Sequence, residues 1–332
     1  MKETESQAKP KVALYWAASC GGCECTVVDI GEPILDIASK VEFVLWPVAL
    51  DFKYHHIEAM EDKSIDLCLF NGAIRSTEQE HMAKLLRAKS KILVAFGSCA
   101  HLGGIPGLSN FSTKEATLNT VYKEVDTVKG EAEKKEPKLK KKVAEGELNL
   151  PKLYNRVYRL KDIVEVDYTV PGCPPTSKDV VKFLTAVLEG NLPPHGSIFG
   201  LKKNLCEECH LERKEKAIKT FYRPYEKRPL PDECLLDQGF LCMGPVTRAG
   251  CEAMCVKANM PCRGCYGPTD EIKDQGAAYI SAIGSAIDSN DENEIKEIIA
   301  KIPDIAGTVY RFGLPSFSVL DKAGKQEEDN HE

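Results

Sequence analysis

The chain has 332 residues, a net charge of −6 and a hydrophobic fraction of 43%. That length suits about two domains, and the mild acidity gives no reason to expect a nucleic acid or an anionic membrane surface as partner. No apolar run approaches the roughly 20 residues that span a bilayer. The polar stretch Met1–Lys11 has neither an apolar leader segment nor a twin-arginine pair, so a cytoplasmic chain is expected.

In chain order, Val12–Trp16, Val41–Trp46, Ile65–Phe70 and Ile92–Phe96 are short apolar runs closed by turn residues, and read as strands. Asp29–Ser39 and Thr77–Ala88 carry helical spacing, with Thr77 and Glu80 forming a capping box. Ile163–Val170 is a fifth strand, followed by a helix over Ser177–Leu188. Alternating strands and helices predict an α/β fold with a parallel sheet covered on both faces. Such sheets hold ligands in the loops beyond the carboxyl ends of their strands. The pattern fades between 112 and 160, where Lys and Glu crowd around Pro137 in what reads as a solvated insertion. A second domain begins near Pro193–Pro194, giving domains of 1–195 and 196–332. It opens with a cysteine-dense, weakly periodic segment over Leu201–Tyr266, of the kind that bound metal holds together. Helices follow over Ile272–Ile287 and Glu292–Ile302, and a charged, disordered tail is expected from Lys322 on.

The fourteen cysteines carry the most information. In a reducing compartment, dense cysteine usage points to metal or redox chemistry rather than disulfides. Cys20 and Cys23 follow the first strand, Cys99 follows Ile92–Phe96, and Cys173 follows Ile163–Val170. Four thiols thus fall in three loops on one predicted sheet edge, enough to hold a four-iron cluster. Gly21 and Gly22 let the first turn fold, Gly97 and Gly172 precede the single ligands, and Pro174 follows Cys173. A second set is Cys206, Cys209, Cys234 and Cys242, and a third is Cys251, Cys255, Cys262 and Cys265. Zinc is the rival, because four-cysteine zinc sites use the same C-x-x-C pairs. A zinc ribbon would pair two such turns, whereas Cys234 and Cys242 are widely spaced and the first set draws on three separate loops.

Tyr15-Trp16-Ala17-Ala18-Ser19-Cys20-Gly21-Gly22-Cys23-Glu24 resembles the start of a nickel–iron hydrogenase small subunit. Gly97-Ser98-Cys99 and Pro171-Gly172-Cys173-Pro174 resemble that family's other proximal-cluster ligands. Cys242-Met243-Gly244-Pro245-Val246-Thr247, then Cys251, then Pro261-Cys262-x-x-Cys265, resemble its C-terminal cluster segment. The resemblance covers nearly the whole chain and is greatest to the F420-non-reducing (methyl-viologen-reducing) small subunits of methanogenic archaea. It implies a flavodoxin-like N-terminal domain and a small, mainly helical C-terminal iron–sulfur domain. It implies three [4Fe-4S] clusters: proximal on Cys20, Cys23, Cys99 and Cys173; medial on Cys251, Cys255, Cys262 and Cys265; distal on Cys206, Cys209, Cys234 and Cys242. The implied partners are a nickel–iron large subunit, a small iron–sulfur electron-transfer subunit and heterodisulfide reductase. Cys206 stands where many periplasmic members place a histidine, which leaves His210 as a surface or supporting residue. Cys255 would convert a three-iron medial cluster into a four-iron one.

The remaining candidates have plain readings beside functional ones. Cys25 and Cys68 read as packed thiols. Glu24 reads as a helix N-terminal acid or an interface group. His101 could donate to a cluster sulfur. His55 and His56 read as surface or interface residues, and Trp16 and Trp46 as core. No phosphate-loop or dinucleotide fingerprint is present, so no flavin or nucleotide is expected in this chain.

Overall fold

The apolar runs pair side by side into one five-stranded parallel sheet. The computed structural model describes residues 8–128, 130, 135–214 and 217–316. The strands are β1 (Lys11–Trp16), β2 (Glu42–Leu45), β3 (Ile65–Asn71), β4 (Ser90–Phe96) and β5 (Tyr168–Val170). Their order is β2-β1-β3-β4-β5, all parallel, which is the flavodoxin-like order. Side chains alternate between the two faces. Ala13, Tyr15, Cys68, Phe70, Leu93 and Ala95 pack on one side. Val12, Leu14, Leu67, Leu69, Val94 and Phe96 pack on the other.

Helices seal both faces. The helix Thr77–Lys89 buries Met82, Ala83 and Leu86, and Ser177–Leu188 buries Val180, Phe183 and Leu184. The first of these is capped by Ser76, whose hydroxyl accepts from the Gln79 N–H, rather than by Thr77. Thr77 instead uses its hydroxyl on the Lys152 N–H, tying the helix start to the inserted segment. The expected helix over Asp29–Ser39 is two helices, Gly22–Val28 and Pro33–Lys40, split at Gly31 with Pro33 opening the second. The fifth strand is shorter than expected, because Leu160–Ile163 forms a helical turn before the chain enters the sheet.

The insertion is not wholly solvated. Its hairpin, Lys140–Val143 with Gly146–Asn149, is exposed. Its last strand, Leu153–Tyr158, pairs with Ile74–Ser76, and Val157 and Leu160 are buried beneath it. The chain stays on the sheet edge as far as Phe199, whose N–H donates to Thr169. Beyond it, a separate core forms around Phe221, Leu235, Phe240, Val246, Tyr279, Ile283 and Val309. Few of its residues lie in regular structure before Gln275–Ala286, which is followed by Glu292–Ala300 and Ile305–Val309. This part docks on the loops at the carboxyl edge of the sheet. Phe312 accepts from the Gly104 N–H at 2.9 Å, and a Cβ at Gly103 would lie 2.2 Å from the Pro315 ring. The expected tail from Lys322 lies outside the described residues. No described helix is long and apolar enough to cross a membrane.

Candidate metal centres

Because the sheet is parallel, the loops after β1, β4 and β5 leave from one edge. Cys20 and Cys23 lie in the first, Cys99 opens the short helix Ser98–Leu102 after the second, and Cys173 lies in the third. The loops are stitched together by the Gly97 N–H on Val170 (2.8 Å) and the Ser98 N–H on Gly172 (2.7 Å). Gly97 has φ +85°, and a Cβ there would lie 2.4 Å from Cys23 Sγ. A Cβ at Gly104 would lie 2.5 Å from Cys99 Sγ. The glycines therefore do two jobs, supplying backbone shapes that L residues resist and leaving room for sulfur. The four thiols face one another: Cys23 feels Cys99, Cys173 and Cys20, and Cys173 feels Cys20.

The other eight cysteines gather as two sets. Cys206, Cys209, Cys234 and Cys242 line one cavity with Leu205, Leu211, Leu235, Leu236 and Val256. Cys251, Cys255, Cys262 and Cys265 lie near one another: Cys265 is close enough to feel Cys251, Cys255 and the sheet-edge Cys173, and Cys262 feels Cys242 and Cys265. All fourteen cysteines are free thiols. Among the described residues, no three His, Cys, Asp or Glu side chains converge on the spacing of a single metal ion.

A local motif repeats across the sets. Cys20 accepts a hydrogen bond at sulfur from the Gly22 N–H two residues on, at 3.4 Å, and the N–H groups of Leu236, Gly244, Ala253 and Gly264 stand in the same relation beside Cys234, Cys242, Cys251 and Cys262. Such donors favour the anionic form of sulfur. At Cys251 the turn needs Glu252 and Ala253 both in the left-handed region, at φ +55° and +51°. Non-glycine residues resist that region, and strain of this kind concentrates at functional sites.

Two further N–H groups join the sets. The Cys173 N–H lies beside Cys265 Sγ, where the Ser98 hydroxyl also donates to the Cys265 carbonyl, and the Cys262 N–H donates to Cys242 Sγ at 3.3 Å. The sets therefore stand in one row, from the sheet edge through the Cys251–Cys265 set to the Cys206–Cys242 set. Burial pushes the thiols up, and neighbouring sulfurs add to it. Cys99 reaches about 12 through burial and then Cys173 and Cys20. Cys206 reaches about 12 through burial and then Cys242 and Cys234. Cys242 stops at about 11, because the Gly244 and Cys262 N–H groups oppose its burial. These thiols are neutral at pH 7, so a metal must displace their protons on binding. An all-thiol donor set suits soft metals and iron–sulfur clusters.

Residues 20–187 match the family model described as NADH ubiquinone oxidoreductase, 20 Kd subunit. The iron-sulfur subunit of the F420-non-reducing hydrogenase of Archaeoglobus profundus is 40% identical over 321 residues, covering 95% of this chain and 99% of that protein. A subunit of the vhu F420-non-reducing hydrogenase of Methanocaldococcus jannaschii is 37% identical over 314 residues, covering 94% and 98%. The chain belongs to this family of hydrogenase small subunits. A third relative, from the F420-non-reducing hydrogenase of Methanothermobacter marburgensis, is 34% identical and covers 96% of the chain and 98% of its own length.

Several single-residue readings of this small subunit are settled by its packing. Cys68 is fully buried in β3, as expected, whereas Cys25 is exposed on Gly22–Val28 rather than packed. The helix starts inside the Cys20–Cys23 turn, which rotates Cys25 outward and Glu24 inward. Glu24 is only 5% exposed, and its carboxylate accepts from the Trp46 indole. Burial raises its pKa and the indole opposes the rise. Trp46 is core, but Trp16 is 41% exposed. Its ring lies over Gly21 and its N–H donates to Ser19 at 3.2 Å, so it roofs the Cys20–Cys23 turn. His55 and His56 are exposed on a short helix, Tyr54–Glu58. His101 is buried behind the Cys99 turn, where burial pushes its pKa down to about 3 and nearby cationic Lys161, Arg248 and Arg159 add to the fall. A Cβ at Gly267 would lie 3.5 Å from its Nε2. Arg213, which no spacing rule marks, lines the Cys206–Cys242 cavity and places positive charge beside Cys206 and Cys234.

Proposed function

We propose that this chain is the electron-relay subunit of a nickel–iron hydrogenase complex. It would hold three iron–sulfur clusters and pass electrons from H2 oxidation in a large subunit to a partner iron–sulfur or flavin protein of a heterodisulfide reductase assembly. The observation that carries the reading is the succession of three four-thiol sets, joined by the Ser98 hydroxyl on the Cys265 carbonyl and the Cys262 N–H on Cys242. A bound cluster supplies one-electron redox capacity without large rearrangement of its ligands.

The chain's own residues hold, insulate and tune. Cys20, Cys23, Cys99 and Cys173 hold the proximal cluster at the sheet edge. Cys251, Cys255, Cys262 and Cys265 hold the medial one, and Cys206, Cys209, Cys234 and Cys242 the distal one. The N–H groups at i+2 present positive dipole ends to sulfur, and Arg213 brings positive charge to the distal set as half of an ion pair with Asp237, whose carboxylate also faces Cys234. Leu205, Leu211, Leu235, Leu236 and Val256 line that cavity with apolar surface and limit water beside it. Cys20 and Cys173 are exposed beside the exposed Trp16, so the proximal edge is the face a large subunit would cover. The chain reads as two domains, the first carrying the proximal set and running a few residues past the expected break at 195, to Phe199 on the sheet edge, and the second carrying the other two.

The test is anaerobic iron, sulfide and zinc analysis of the native complex, with EPR of reduced and oxidised samples. About twelve irons attributable to this chain are expected for three four-iron clusters. About eleven, with an oxidised three-iron signal, would remove Cys255 from the ligands. Zinc in place of iron would overturn the redox reading and leave a zinc-stabilised scaffold.

A further inference from the structure

Helix Gln275–Ala286 lies across the junction between two of the cysteine sets. Its first residue fixes the placement. Gln275 Nε2 donates to the Val246 carbonyl (3.3 Å) and Thr247 Oγ1 (3.2 Å), in the segment after Cys242. It also donates to the Gly264 carbonyl (3.3 Å), inside the Cys262–Cys265 turn. Residues four apart share a helix face, so Tyr279 lies on the face that Gln275 turns toward these segments. Tyr279 is 0% exposed and packs in the core that contains Cys242, Met243 and Cys262. Among the described residues its hydroxyl has no hydrogen-bond partner. The groups around it are Cys242, Cys262 and Cys234, with Arg263 as the cation.

A buried phenol almost always finds an acceptor. Phenylalanine would fill the same space without stranding a hydroxyl. Of the ionisable side chains near this hydroxyl, the three that can accept are thiols, and arginine offers no acceptor. Resting on the cluster assignment proposed above, we infer that the Tyr279 hydroxyl donates a hydrogen bond to sulfur of the group held by Cys206, Cys209, Cys234 and Cys242, at its border with Cys262. Such a bond strengthens as sulfur gains electron density, so it favours the reduced state and raises that cluster's potential. Tyr279 is a tuning residue, and its removal should shift one potential while leaving ligation alone.

The experiment compares wild type with Tyr279→Phe in the complete hydrogenase complex, by iron and sulfide content and by redox-poised EPR. The expected result is unchanged iron and sulfide, with the midpoint of the Cys206–Cys242 cluster alone moved to more negative potential. Full iron content with every midpoint unmoved would overturn the inference. Because Phe could disturb packing, 3-fluorotyrosine at position 279 provides a near-isosteric second variant. Its more acidic hydroxyl should move the same midpoint in the positive direction, and no movement would again overturn the inference. Wild-type protein containing zinc rather than iron would fail at the first analysis, which separates failure of the cluster assignment from failure of the Tyr279 role.

Discussion

The backbone N–H of Cys262 donates to the thiol of Cys242 at 3.3 Å, across twenty residues of sequence. One peptide group thereby serves two cysteine sets, since Cys262 presents its own sulfur to the next set along. At the sheet edge the Ser98 hydroxyl donates to the Cys265 carbonyl and ties that turn to the loop of Cys99. Each junction also fixes how closely adjacent sets approach, because a hydrogen bond leaves little slack between them.

Cys173→Ala should abolish H2-dependent dye reduction by the complex. Cys173 stands between the other sheet-edge thiols and Cys265, so on the proposed assignment its loss removes both a ligand and the side chain nearest the next set. Cys25→Ala, an exposed thiol outside the three sets, should leave iron content and turnover at wild-type levels. Retained turnover with an intact proximal EPR signal in Cys173→Ala would refute the assignment.

Gly97→Ala should cost the proximal set its iron. An alanine Cβ would sit 2.4 Å from Cys23 Sγ on a backbone at φ +85°. The strain alone is about 1–3 kcal/mol, and relieving the clash moves a ligand. Gly190→Ala is the control, because Gly190 has φ +68° but nothing within 4 Å of the added methyl. It should show the backbone penalty in thermal unfolding and keep its iron. Equal iron in the two variants would show that Gly97 serves the turn and not the sulfur.

The sheet, its parallel sense and the edge carrying Cys20, Cys23, Cys99 and Cys173 were legible because apolar runs and loop cysteines are both local signals. The nearness of Cys206 to Cys209 and of Cys262 to Cys265 is local in the same way. What spacing could not reveal was contact between segments distant in sequence. Trp16 ends an apolar run and reads as core, yet it closes over Gly21 because β1 stops at the ligand loop. The outward turn of Cys25 depends on where Gly22–Val28 begins, since each helical residue rotates the side-chain direction by about 100°. Arg213 looks like any surface arginine until the chain brings Cys234 beside it. The strand expected over Ile163–Val170 failed at its start, because Asp162 caps a turn through the Arg159 N–H and so favours a helical bend over extension.

The last prediction concerns Asp167, which pins the edge strand β5 to β4. Its N–H donates to the Leu93 carbonyl at 2.9 Å, and its carboxylate accepts in return from the Leu93 N–H at 2.6 Å. Arg87 at 2.5 Å and His195 at 2.9 Å complete its partners. Burial alone would raise its pKa, but the Leu93 N–H, Arg87 and His195 together outweigh burial and hold it below the ordinary carboxylate range. A carboxyl depressed on folding contributes stability that is full above its unfolded value, about 3.9, and is lost as pH falls through the folded value. Asp167→Asn removes the charge while keeping the shape, and leaves Arg87 half-buried with a weaker acceptor. The expected loss at pH 7 is about 1–3 kcal/mol, read by chemical denaturation of the complex-bound or full-length chain. The gap between wild type and variant should begin to narrow as pH falls below about 3.9 and close only below the lower folded value, where both carry a neutral group at this position. A gap that persists unchanged at acid pH would mean that Asp167 acts through shape alone and that its charge contributes nothing to holding β5 against β4.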